Sequence, residues 1–500
     1  MRVHITILSS CLFSLCFAHL ITTNPIVTIE DGTVIGHVKD SAVVWLGIPF
    51  AAPPVGDGRW APPKSPKPFG TIIASEYSPA CPQTCNTLPK FCPKKTDEDC
   101  LYLNVYSPLI RDPDVLMPVM VFLHGGSFSS GEASLFLYDG DTNVNRSSTL
   151  LVTLNYRLGP LGFLSTENIP GNFGIQDQLK ALQWIRDNIV KFGGNFEQIT
   201  LFGESAGAIS VGLHLTSERS RGLFHRAILQ SNPVSLLHKT REQAETFGRN
   251  FLKKVNCKTS DLSCLRSLSV DDIVRIGGER PSTNVLTFSL QELLPWGPVI
   301  DNDYVPMQLL PAVTQGKIQK VPVILGSNTG EGVFFVYPLL TTPLNDFYLG
   351  AILVTIWGAK NLLTIHDTYD IRPNLLDLKK DNRLLLSQMI TDYVFVCPTR
   401  QMAQSLSNYN HHTYLYSFDH AISFDEYGPA YNACNSHACH ASELGFVFDI
   451  PNRDGFTMAT SQEKILATQM MTYWTGFAKS SDGSPNQISH MSVFRQAFLK

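Results

Sequence analysis

An α/β fold built on a largely parallel sheet is the architecture this chain predicts, and three observations carry it. Short continuous apolar runs recur along the middle of the chain, at residues 119–123, 150–155 and 199–202. Each ends in glycine or polar residues, as strands buried on both faces do. Between the second and third lies a helical stretch, and strand, helix, strand in that order builds a parallel sheet.

The elements follow in chain order. Residues 27–47 read as a small antiparallel meander turning at Asp31-Gly32. Strand-like runs at 43–48 and 101–106 flank the Pro-rich residues 53–68, which are therefore an ordered loop, not a linker. Over residues 176–192 Leu179, Leu182, Ile185 and Ile189 fall at helical spacing. A second helical pattern covers 206–215, strands follow at 227–229 and 321–325, and a helix covers 463–479. With no repeat, low-complexity tract or boundary signal, residues 19–500 are expected to form a single domain.

Bulk properties exclude several classes. The 500 residues are 44% hydrophobic and 16% charged, ample for a large core. A net charge of −4 and the lack of any long Lys/Arg run argue against nucleic acid as a partner. Met1 and Arg2 followed by the apolar residues 5–18, with Cys16 and Ala18 as a small-residue cleavage site, read as a secretory signal over residues 1–18. No membrane span is expected downstream, since the apolar residues 347–356 are too short to cross, so the mature protein should be secreted and extracellular.

An oxidising compartment favours disulfides. Removing Cys11 and Cys16 with the signal leaves nine cysteines in sequence clusters. Four short-range bridges leave Cys397 over as a candidate buried thiol, and the candidate pairs are Cys81-Cys100, Cys85-Cys92, Cys257-Cys264 and Cys434-Cys439. Asn145, in Asn145-Arg146-Ser147, is the one glycosylation sequon, expected on an exposed loop. The stretch ACNSHACHASELGF at 433–446 stays ambiguous at this point: Cys434, His437, Cys439 and His440 could be four zinc ligands, or a staple beside a catalytic histidine.

The strongest chemical signal is Gly203-Glu204-Ser205-Ala206-Gly207, which follows a strand and precedes a helical pattern. That is the setting of a nucleophile elbow: a sharp turn thrusts Ser205 out of the sheet, and the glycines keep side chains out of the neighbouring strand and helix. The bare pattern would arise by chance in roughly one chain in six, so its context carries the weight. A serine needs a base, an orienting carboxylate and donors for the oxyanion. His124-Gly125-Gly126-Ser127, at the end of the 119–123 strand, supplies backbone amides from Gly126 and Ser127, and Ala206 adds a third.

With these motifs stand GIPFAAPPVGDGRWAPP, EDCLYLNVY, HGGSFSSG, AILQS, PVIDNDYVP and TYWTGFAKSSDGSPN, in an order that resembles the type-B carboxylesterase and cholinesterase family of α/β-hydrolases. The resemblance implies a central, mostly parallel sheet flanked by helices, and a triad in the order Ser, acid, His. The family's acid block is similar to Gly326-Ser327-Asn328-Thr329-Gly330-Glu331-Gly332, which makes Glu331 the acid and leaves Asp301 as a turn residue. Gly330 stands where many relatives have Asp. The histidine block resembles residues 439–448, which makes His440 the base and His437 a bystander; Ala441 stands where most relatives have Gly, and Ser127 where many have a third Gly. His411, His412 and His420 are then surface or packing residues.

The resemblance implies hydrolysis of a small carboxylic ester through an acyl-enzyme, with no metal or organic cofactor. Cholinesterases hold a quaternary ammonium with a Trp in the loop that here spans Cys81 to Cys100. This loop has no Trp and carries Lys90, Lys94 and Lys95, so a broad or apolar ester is expected in preference to acylcholine. Trp296, Phe334 and Phe335 fall in segments that line the site in relatives. Some relatives keep the fold as structural or adhesion proteins, and an idle scaffold is the competing expectation; a Cys434-Cys439 staple beside His440 fits the enzyme.

Overall fold

The computed structural model describes residues 25–40, 42–85, 89–258, 261–279, 290, 294–374, 379–409, 412–424, 427–453 and 456–481. The expected leader, residues 1–18, lies outside these, as does His411. The first strands are β1 (Ile26–Ile29), β2 (Gly32–Ile35), β3 (His37–Lys39), β4 (Ala42–Pro49), β5 (Gly70–Ile73) and β6 (Tyr102–Pro108). They are followed by β7 (Met117–Leu123), β8 (Leu150–Leu154), β9 (Gly194–Glu204), β10 (Arg226–Gln230), β11 (Val323–Asn328) and β12 (Thr413–Phe418).

Nine of these form one twisted sheet in the order β12-β11-β10-β9-β7-β8-β6-β4-β3. From β12 to β8 every neighbouring pair is parallel, and from β8 to β3 every pair is antiparallel. The strands β8, β10 and β11 are buried along their whole length, which is why they read as unbroken apolar runs. Side chains alternate between two cores: Val119, Val121 and Leu123 face one, Met120 and Phe122 the other. Helix Phe173–Asn188 covers the first with Leu179, Leu182 and Ile185, and helix Ser461–Lys479 covers the second with Met470, Trp474 and Phe477. The latter helix begins with a capping box between Thr460 and Glu463.

The meander expected over residues 27–47 is split between two sheets. β1 and β2 form the hairpin at Asp31-Gly32 and join β5 in a separate three-stranded sheet. β3 and β4 instead edge the large sheet. Burial explains the division, since β1 hides only alternate residues whereas β4 hides residues on both faces.

Four disulfides are present, Cys81–Cys100, Cys85–Cys92, Cys257–Cys264 and Cys434–Cys439. Two sequence expectations change here. Cys397 is free but exposed, because it opens the surface helix Cys397–Ser407. Asn145 is exposed as expected, but on helix Asp141–Ser147, not on a loop.

Candidate active site

Ser205 stands between β9 and helix Ala206–Thr216 with φ 56° and ψ −120°, a conformation that costs a non-glycine residue free energy and is held by its surroundings. Its amide donates to the Gln230 carbonyl on β10 at 2.9 Å. The glycines on either side are required by close approach. A Cβ on Gly207 would lie 1.9 Å from the Leu123 carbonyl oxygen, and one on Gly203 would lie 2.6 Å from the Gly207 backbone. Strand and helix can therefore converge on the serine only if both lack side chains.

Beyond β7 the chain turns through Gly126 (φ 101°), Ser127 (φ 54°) and Phe128 (φ 56°), three successive residues in left-handed conformations. This winds the Gly126 and Ser127 amides into a concave turn next to the elbow. Neither amide has a protein hydrogen-bond acceptor among the described residues. His124 is walled in beneath the turn: it stacks on Tyr156 with ring centroids 4.4 Å apart, and its Nδ1 contacts the Gly125 carbonyl at 2.9 Å. Burial holds its pKa down at about 4, so it is neutral and shapes the turn.

Glu331 lies in the turn directly after β11, and His440 directly after the Cys434–Cys439 bridge. Glu331 Oε2 is 2.5 Å from His440 Nδ1. A backbone bond ties the two loops together, the Gly330 amide donating to the Ala438 carbonyl at 2.9 Å, and the Tyr427 hydroxyl braces the base loop by donating to the His440 carbonyl at 2.9 Å. With their sulfurs bonded to each other, Cys434 and Cys439 cannot be thiolate ligands of the zinc quartet. His437 turns away, its Nδ1 2.8 Å from the Ala433 carbonyl.

A residue that sequence reasoning passed over occupies the other side of the imidazole. Glu204 Oε1 lies 3.0 Å from His440 Nε2, off the direction of a hydrogen bond, so Nε2 has no hydrogen-bond partner among the described residues and Ser205 Oγ is not bonded to it in this conformation. Glu443 is buried nearby, so three carboxyl groups surround one histidine. Burial alone would lower the His440 pKa, but Glu204, Glu331 and Glu443 outweigh it and hold it up at about 9. Glu204 is pushed up to about 8, first by burial and then by its carboxylate neighbours. The only sequence signal for Glu204 was its place next to Ser205.

The wall beside His440 is aromatic. Phe334, Phe335 and Phe395 place ring centroids 5.7, 5.0 and 5.1 Å from the imidazole. Phe395 gets there from a π-helical turn, Thr391–Val396, which no sequence period announced. Phe334 stacks on Tyr431 and meets Tyr427 edge-on; Phe91, from the loop closed by Cys81–Cys100, stacks on Tyr427 in turn. One expected lining residue is elsewhere, and the rejected acid is where it was expected. Trp296 is a core aromatic between Phe247 and Phe251, donating to the Gly277 carbonyl, and Asp301 is a turn residue that accepts from Asn172 and from the amides of Asp303 and Val305.

The model of the carboxylesterase family matches residues 23–498. The cAMP-regulated D2 protein of Dictyostelium discoideum is 39% identical over 464 residues, covering 91% of this chain and 84% of that protein. Acetylcholinesterase of Bungarus fasciatus is 36% identical over 486 residues, covering 91% and 77%. A solved thermophylic PNB esterase superposes with a TM-score of 0.78 at 32% identity, covering 93% of this chain and 92% of that one. An elbow serine, a paired histidine and glutamate and an amide-lined turn on this sheet thus coincide with similarity over nearly the whole chain, which belongs to the carboxylesterase family with its α/β-hydrolase fold.

Proposed function

We propose that the protein is a secreted serine esterase acting on small carboxylic esters with an apolar acyl group. The observation that carries this reading is the buried 2.5 Å contact between Glu331 and His440 beside a strained Ser205. Ser205 Oγ bonds to the ester carbonyl carbon while its proton passes to His440 Nε2. Glu331 fixes the tautomer through Nδ1 and stabilises the imidazolium. The amides of Gly126, Ser127 and Ala206 take the oxyanion. The imidazolium then protonates the departing alkoxide, and water activated by the same nitrogen releases the acid from the acyl-enzyme. The contact between Ser205 and Nε2 forms only as Glu204 yields that nitrogen, in keeping with catalytic hydrogen bonds that tighten on substrate binding.

The aromatic wall supports an apolar acyl group, and the absence of Trp from the Cys81–Cys100 loop supports a non-choline alcohol. Four disulfides and an exposed Asn145 sequon support secretion of the folded chain and a glycan there. The test is labelling with a fluorophosphonate probe and turnover of p-nitrophenyl esters of graded chain length. Wild type should do both, and Ser205→Ala and His440→Ala neither. Wild type inert to both would leave the idle scaffold as the better reading.

A further inference from the structure

Three segments bring the proposed triad together, and one buried residue bonds to the acid through its backbone and to the base loop through its side chain, reaching the support of the serine by way of Glu443. Asn328, the last residue of β11, is fully buried. Its Nδ2 donates to the Cys439 carbonyl, one residue before His440, and to Glu443 Oε2, both at 2.7 Å. Its backbone amide donates to Glu331 Oε1 at 2.8 Å, leaving Oε2 for the histidine. Glu443 Oε1 accepts from Gln230 Nε2 at 3.0 Å, and the Gln230 carbonyl is the group that accepts the Ser205 amide. Trp474 Nε1 fixes the other end of the Gln230 amide at 3.0 Å.

The geometry leaves little freedom in how this bracket is built. A carbonyl and a carboxylate face the Asn328 carboxamide together, so its nitrogen must point toward them; the reversed amide would set an oxygen against two acceptors. Its Oδ1 is buried with no hydrogen-bond partner among the described residues. An unsatisfied buried oxygen calls for an explanation, and two tight donor bonds into the base loop supply one.

We propose that Asn328 is a positioning residue, which sets the separation of the acid and base loops and so the meeting of Glu331 with His440; this rests on the triad reading above. Asn328→Asp keeps the size but replaces both donors with an acceptor and adds a further carboxyl to the cluster around the histidine. It should lower kcat at least about 100-fold with KM within about threefold, the split expected when an interaction matters in the transition state alone. The acid limb of its pH–rate profile should move to higher pH, since added negative charge holds the imidazolium more tightly. Asn328→Ser, which loses the donors without adding charge, should fold more readily and still lose at least about tenfold in kcat. Combining Asn328→Asp with Glu443→Gln returns a donor to the pair from the opposite side and should recover at least about tenfold in kcat over Asn328→Asp.

The measurements are steady-state kinetics from pH 5 to 10 with Tm recorded for every variant. Wild type active, with both single variants within threefold in kcat or impaired only in Tm with an unmoved pH profile, would overturn the positioning role and leave the esterase intact. Wild type inactive would remove the esterase reading and this role with it.

Discussion

Ser205 and His440 are held in place by opposite means. The serine is gripped by regular structure, a strand before it, a helix after it and glycines that let the two converge. The histidine sits in a stretch of short turns, with the Cys434–Cys439 bridge before it and left-handed Ala441 (φ 68°) after it, and is held by groups from residues 204, 331 and 427. One grip is local and stiff. The other is assembled from remote segments, so changes far along the chain can reach it.

Breaking the stiff side should have the largest effect. Gly207→Ala drives a methyl into the Leu123 carbonyl, and a clash that only strand and helix separation can relieve should destabilise by about 3 kcal/mol, read as lost Tm or soluble yield. Breaking the assembled side, Cys434→Ser with Cys439→Ser should lose about 2 kcal/mol in denaturant unfolding, and ester turnover should fall further than in the matching Cys257 and Cys264 pair, whose bridge does not adjoin the histidine.

Glu204→Gln tests the electrostatics of the base. It removes one of the carboxylates that hold the His440 pKa at about 9, so the imidazole loses its proton at lower pH and the acid limb of the kcat/KM profile should move down by about one unit or more. An unmoved limb would mean that Glu204 carries no charge in the working enzyme. The smallest effect sharpens the contrast from the other direction. Ala441→Gly relieves a left-handed residue in the base loop and should stabilise by about 1 kcal/mol, measured by the same unfolding curves.

What could be read from the sequence follows the same division. Ser205, with β7, β9 and the helix after it, was plain because strand, glycines and helix are contiguous and each obeys a local rule. The antiparallel edge was read in part, since pattern alone did not say that β1 and β4 join different sheets. Glu331 and His440 rested on the resemblance; no local rule distinguishes His440 from His437, three residues earlier. Glu204, Asn328 and Glu443 went unassigned because their partners are far away in sequence, and burial is what turns an ordinary carboxyl or amide into part of a site. Edge strand β12 was not anticipated, being only half-buried and short of the unbroken apolar run that marks its neighbours.

The order of strands in the large sheet also has a consequence in time. The elbow is complete once β10 has joined β9, whereas the base loop is among the last segments made. At ribosomal speeds of about 5–20 residues per second, His440 emerges roughly 10 to 50 seconds after Ser205. For that interval a growing chain would hold Ser205 without the base proposed for it. On the proposed triad, ester turnover would begin only when the final elements dock, which would make it a sensitive reporter of completed folding.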